Sequence, residues 1–251
     1  MKKIFAAFAL SILVWCGAMA QTASVWKSAE DAYAMGDFDG AIKNYESLLS
    51  SGASSASLFY NLGNAYYRKG IIGKSILNYE RALKLDPSDD DARHNLELAR
   101  TQTLDKIDNV PEFILFSWVR NLRISLSSNT WAVLSLVFLA VALALLLLFN
   151  FSRRSSSRKL FFIIAMICLL LMVLSYLFSL SLARQAGSSD TAIVVENIGS
   201  VKSAPAAGGN SIFVLHEGTK VKILEKVQDW SRVEISDGRQ GWIKSSDIEI
   251  I

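Results

Sequence analysis

Cysteine and histidine are almost missing from this 251-residue chain, with two of each, and proline occurs only three times. Cys16 falls in an N-terminal apolar run and Cys168 in an internal one, so the pair supports neither a structural disulfide nor a zinc site. His94 and His216 stand in different segments, and no Ser-His-Asp, Cys-His or metal-ligand spacing accompanies either. Each reads as a surface or turn histidine, and the chain reads as a non-enzyme without metal or cofactor. With charged residues at 20%, the scarcity of proline also excludes a disordered or low-complexity chain.

A basic folded domain is missing as well. Acidic side chains outnumber basic ones, 11 to 9, in residues 21–103, and again, 9 to 7, in residues 190–251. The net charge of +3 comes instead from Lys2 and Lys3 and from Arg153, Arg154, Arg158, Lys159 and Arg184, which flank apolar runs. This distribution belongs to a membrane protein and excludes nucleic acid as a partner.

What the chain does have is apolar residues, 51% of the total. They concentrate in three runs, Ile4 to Trp15, Trp131 to Phe151 and Leu160 to Leu182. The first follows two lysines and ends at Ala18-Met19-Ala20, so residues 1–20 read as a cleavable secretory signal. Lipid attachment at Cys16 is the other reading, with Trp15 a poor residue to precede it. Residues 130–151 and 160–182 are each long enough, at ~1.5 Å rise per residue, to cross ~30 Å of hydrocarbon. Neither run holds an ionisable residue, which favours anchoring over conduction. The basic stretch 152–159 between them marks a cytoplasmic loop, so the flanking domains are expected on the outer, periplasmic side of the inner membrane. Arg120, Arg123 and Arg184 near the outer ends weaken that bias. Within the linker 104–129, Leu115, Trp118, Val119, Leu122 and Leu126 follow helical spacing after Pro111. Two readings stand: a helix lying in the membrane interface, or a core helix packed on the preceding domain.

Shifting residues 21–103 by 34 positions aligns Tyr33 with Tyr67, Gly36 with Gly70, Asn44-Tyr45-Glu46 with Asn78-Tyr79-Glu80, and Leu49 with Leu83. Ala29 aligns with Gly63 and Ala41 with Ser75, small residues suited to a close helix crossing. The strings AEDAYAMGDFDGAIKNYESLL and SLFYNLGNAYYRKGIIGKSILNYERALKLDP resemble tetratricopeptide repeats, and DDARHNLELAR resembles a capping half-repeat. The resemblance implies a groove lined by Trp26, Glu30, Tyr33, Tyr60, Asn64, Tyr67, Arg68, His94 and Asn95, the competing reading being that the aromatics pack between helices. In repeats that clamp a terminal carboxylate, lysines flank an asparagine pair like Asn64 and Asn95. Tyr60 and Asp91 stand there instead, so the cationic half of that clamp is absent.

Residues 190–251 lose helical period and show short β-branched runs, 192–195, 220–227, 231–236 and 241–244, with Asp237-Gly238 as a hairpin turn. Five or six strands are expected. The segments HEGTKVKIL, DWSRVEI and DGRQGWI resemble a bacterial SH3-like domain, which implies a small barrel and, in some members, binding to cell-wall peptides. Trp230 and Trp242 are the candidate ligand surface. A small barrel also needs aromatics for its core, which favours a core position for Trp242 and leaves Trp230 open.

The expected fold class is therefore multi-domain α and β: an α-solenoid tetratricopeptide module, a transmembrane α-hairpin and a small all-β SH3-like barrel. This order, with the HEGT, GWI and SSNTW segments, resembles the BatE-type aerotolerance-operon family. The resemblance implies a membrane-anchored adaptor acting with Bat-type von Willebrand A-domain proteins and a MoxR-type ATPase. The alternative is a peptidoglycan-sensing anchor that recruits a separate hydrolase.

Overall fold

The computed structural model describes residues 22–106 and 113–251. The expected signal segment with Cys16, and Pro111, lie outside the described residues. The chain divides into two compact units, one formed by the N-terminal helices with the C-terminal sheet, the other centred on the two apolar helices.

In the first unit, α1 (residues 22–34) pairs with α2 (Phe38–Ser50), and α3 (Ala56–Lys69) with α4 (Ile72–Leu85); α5 (Asp90–Thr101) follows. The 34-residue period is written into the backbone. Gly36 and Gly70 turn left-handed, with φ of +80° and +78°, and end the first helix of each pair with matching hydrogen bonds to the carbonyls of Tyr33 and Tyr67. Asp37 and Ser55 cap α2 and α3 through their side chains. Small residues sit where the helices of a pair cross: Ala29 and Ala41 are fully buried, and Ser75 Oγ donates to the Gly63 carbonyl at 2.9 Å. A Cβ on Gly63 would lie 2.8 Å from the buried Tyr79 ring. Gly63→Ala is therefore expected to cost about 1–3 kcal/mol of repeat stability by overpacking, measurable as a lowered helical melting temperature with the chain still folded.

The sheet contains β1 (Thr191–Val194), β2 (Ile198–Lys202), β3 (Ser211–His216), β4 (Lys220–Val227), β5 (Trp230–Glu234), β6 (Gln240–Lys244) and β7 (Ile248–Ile250). Neighbours run β3-β2-β6-β5-β4-β1-β7, each pair antiparallel. Seven strands replace the expected five or six: β2, which includes Gly199, and β7, only three residues long, carry weak local strand patterns. Hydrogen bonding leaves β3 and β7 as edges, so this is an open SH3-like sheet and not a closed barrel. One core unites it: Ala192, Val201, Leu215, Val221, Val233, Ile243 and Ile248, one from each strand, are packed together. Gly238, at φ +88°, makes the expected β5–β6 turn.

The second unit contains α6 (Ile114–Ile124), α7 (Ser128–Phe151) and α8 (Ser155–Gly187). Both α7 and α8 are long and apolar enough to cross a membrane, and only 11% and 17% of their apolar windows is buried. Their contact seam uses Ser135 and Ala142 from one helix and Cys168, Ser175 and Leu182 from the other, each set spaced by seven residues. Small side chains at a heptad spacing let two helices approach closely in the left-handed packing mode. Edge-to-face rings of Trp131 and Phe178, 5.1 Å apart, close one end. The basic stretch expected as an eight-residue loop is mostly helical: α8 begins at Ser155, leaving residues 152–154 as the connection. Arg158 lies on its first turn with its guanidinium 4.7 Å from the Phe149 ring, which fastens the turn.

Candidate functional site

The repeat register puts α3 and α5 side by side, and their facing polar residues form a network. Asn64 Oδ1 accepts from Tyr79 Oη at 2.6 Å and from Asn95 Nδ2 at 2.9 Å; Asn95 Nδ2 also reaches Tyr60 Oη at 3.3 Å. A cavity of about 130 Å³ opens here, lined by Tyr33, Asn64, Tyr67, Arg68, Tyr79, Asn95 and Leu98. Gln102 donates to Tyr67 Oη at 2.7 Å, and the Arg68 guanidinium sits 5.0 Å from the Phe38 ring. Burial raises Tyr79 above the ordinary tyrosine range, so its hydroxyl stays protonated and donates.

Five of the nine groove candidates, Tyr33, Asn64, Tyr67, Arg68 and Asn95, thus share one cavity. The others sit elsewhere. Trp26 donates to Glu30 at 2.7 Å and packs edge-on against Tyr45, 5.8 Å away, so it belongs to the wall of the first repeat. Burial pushes Tyr45 itself up to about 12. Tyr60 stands against Tyr79, 6.1 Å between rings, and His94 is exposed on α5 outside the cavity lining. Tyr79 and Leu98 were missed, although Tyr79 is the 34-residue repeat of Tyr45 and Leu98 lies one helical turn after Asn95.

The sequence reading also missed a second feature, the junction of the repeat with the sheet. Asp105, just after α5, accepts three hydrogen bonds from the sheet, each 2.7 Å: from the His216 backbone N–H, from Thr219 Oγ1 and at His216 Nδ1. Burial opposes charge on Asp105, but these bonds together outweigh it and hold the carboxyl below its usual 3.8. Glu80, nearly buried on α4, pairs with Lys220 at 2.7 Å and with Arg100 of α5. Arg81 donates through Nε and Nη2 to the Ile250 carbonyl at 3.1 and 2.6 Å, covering the β7 edge. Glu217 accepts from the Gly73 N–H at 3.0 Å, capping the start of α4. Gly218, at φ +86°, presses so closely that a Cβ would meet Ile76 and Thr103 at 2.7 Å.

A signal for this junction was present in the repeat alignment. Asp39, Glu46 and Ser47 lie exposed on α2. One period later stand Gly73, Glu80 and Arg81, all of which bond to the sheet. Repeat two departs from repeat one at two of these positions, Asp39 to Gly73 and Ser47 to Arg81, whereas Glu46 and Glu80 are the same residue in different surroundings.

On the sheet, Trp242 does not take the core position expected of it, and Trp230, left open by the sequence, does. Trp230 is buried, 8% exposed, with Lys202 Nζ 5.4 Å from its ring, whereas Trp242 is half-buried. Period-two alternation decides this: Gly241 and Ile243 face the core, where a Cβ on Gly241 would meet Val201 at 2.4 Å, so Trp242 points to the other face.

With this geometry in place, residues 27–102 match the family model for the tetratricopeptide repeat, and residues 199–249 match that for the bacterial SH3 domain. No curated protein matches the chain. Both matched classes are interaction modules, which makes protein–protein interaction the function common to the two halves of this unit.

Proposed function

We propose that the protein is a non-enzymatic, two-span adaptor of the inner membrane whose repeat and sheet stand together in the periplasm and recruit a protein partner through the Asn64–Asn95 groove. The observation that carries this reading is the junction itself. Repeat and sheet flank the two apolar helices in the sequence, yet Asp105, Glu80 and Arg81 bond directly to His216, Lys220 and Ile250. Two domains in contact must share one side of any membrane that α7 and α8 cross, and an even number of spans satisfies that. The cations Arg153, Arg154, Arg158 and Lys159 at the helix connection favour the cytoplasm for that end. The order of modules supports a place in a Bat-type envelope or oxidative-stress complex, with von Willebrand A-domain proteins and a MoxR-type ATPase as partners.

Labelling of single cysteines in intact spheroplasts tests the topology. Ser54→Cys and Ala207→Cys should react with an impermeant maleimide, and Ser156→Cys only after lysis. Reaction at Ser156, or protection of either other position until lysis, overturns the proposed topology. Partner class is read by pull-down of the solubilised protein: protein partners support the adaptor, whereas retention of muropeptides supports the wall-sensing reading.

A further inference from the structure

The helix α6 is packed the wrong way round for a protein in water. At 100° per residue, Ile114, Trp118, Leu122, Leu115 and Val119 fall within an arc of about 140°, and Ser117, Arg120 and Arg123 fall opposite. The side opposite the arc meets the helical hairpin: Arg123 Nη1 donates to Ser181 Oγ at 2.7 Å, and Ser117, Arg123 and Ile124 are partly covered, while Phe116 and Arg120 are exposed. The apolar side faces away from α7 and α8. Its five residues are 48–73% exposed, and α6 has no buried residue at all. Within its own unit α6 is thus not packed as a core helix.

We infer that α6 lies flat in the outer membrane interface, with its apolar arc sunk to the boundary between headgroups and acyl chains. Two attachments set this depth and favour lipid over a protein partner. Arg123 bonds Ser181, one residue before the apolar run of α8 ends at Leu182, and Trp131, at the start of the apolar run of α7, donates Nε1 to the Arg123 carbonyl at 2.9 Å. The C-terminal end of α6 is thus tied to both helices at the level where hydrocarbon gives way to headgroups. An amphipathic helix at that depth buries its apolar face and frees its polar face to bond the helix ends. The consequence is a fixed base: α6 holds the mouth of the hairpin rigid at the membrane surface. This inference rests on reading α7 and α8 as spans.

The test is electron paramagnetic resonance of the full chain in phosphatidylethanolamine–phosphatidylglycerol nanodiscs, with native cysteines replaced by serine and single nitroxides at 115, 117, 118, 119, 120 and 122. Labels at 143 and 170 serve as span controls. Collision with oxygen should exceed collision with a water-soluble nickel chelate severalfold at 115, 118, 119 and 122. The ratio should reverse at 120 and drop at 117. Lipid exposure at 143 and 170 with nickel access throughout α6 overturns the interfacial helix and leaves the hairpin standing. Shielding of 115, 118, 119 and 122 from both reagents also overturns it, since a protein surface then covers the arc. Nickel access at 143 and 170 removes the spans, and this inference with them.

Discussion

Asp105→Ala is expected to release the SH3-like sheet from the repeat. The carboxylate accepts three hydrogen bonds, and its loss leaves the His216 N–H and the Thr219 hydroxyl partly buried without their acceptor. Charge-assisted bonds contribute about 1.5–3 kcal/mol each but are not additive, so a net loss of about 3 kcal/mol is a fair central value. Such a loss raises the undocked population by roughly a hundredfold. Hydrogen exchange in the full chain measures it directly: the His216 amide should accelerate by that factor, with helical amides of α2 and α3 little changed. Unchanged exchange at His216 would mean that the junction holds the domains by other contacts. The pH dependence has a definite sign. The folded carboxyl titrates below the 3.8 of a free aspartate, so its contribution is complete above that value and vanishes as pH falls through the folded one. Docking should therefore weaken in acid below about pH 4 through this group, and Asp105→Asn should lack that step.

Tyr67→Ala combined with Arg68→Ala should weaken partner binding by about thirtyfold or more, because one aromatic or arginine anchor in a central groove contributes roughly 2 kcal/mol. Both side chains line the cavity, and neither supports a buried group, so the melting temperature should stay close to wild type. Asn64→Ala behaves differently. Its Oδ1 is the acceptor for Tyr79, whose ring is 1% exposed, and removing it orphans a buried hydroxyl at a cost of about 1–3 kcal/mol. Loss of binding in Asn64→Ala is therefore confounded with loss of stability, and the same holds for Tyr60, which braces Tyr79. The measurement is affinity for the protein captured by crosslinking in native membranes, alongside thermal unfolding. Full affinity in the Tyr67/Arg68 double variant, with binding lost on Trp242→Ala, would move the partner site to the sheet.

Those choices of residue came from packing, and the contrast shows how far the sequence reaches. A 34-residue period, two ionisable-free apolar runs and an Asp-Gly turn are local or periodic signals, carried by residues a few positions apart. They were enough to identify a helical repeat, two long apolar helices and an antiparallel hairpin, because helix length, strand alternation and turn chemistry depend on near neighbours. The repeat register likewise brought Asn64 and Asn95 to one face, where they hydrogen-bond.

Tertiary structure alone decided which surfaces meet. Asp105 and His216 are 111 positions apart, and nothing in their local context announces that one carboxylate will cap an edge strand and a turn together. Sequence favoured the core for Trp242 and left Trp230 open; in the structure Gly241 and Ile243 claim the core, so Trp242 is turned outward and Trp230 is buried. In α6 the amphipathic pattern was legible, but its direction was not, since the same stripe serves a core helix or a surface one. In the structure Arg123 bonds Ser181 on the hairpin, and the apolar arc of α6 is exposed. Pattern states what each element can bury, whereas contact between distant elements determines what covers it.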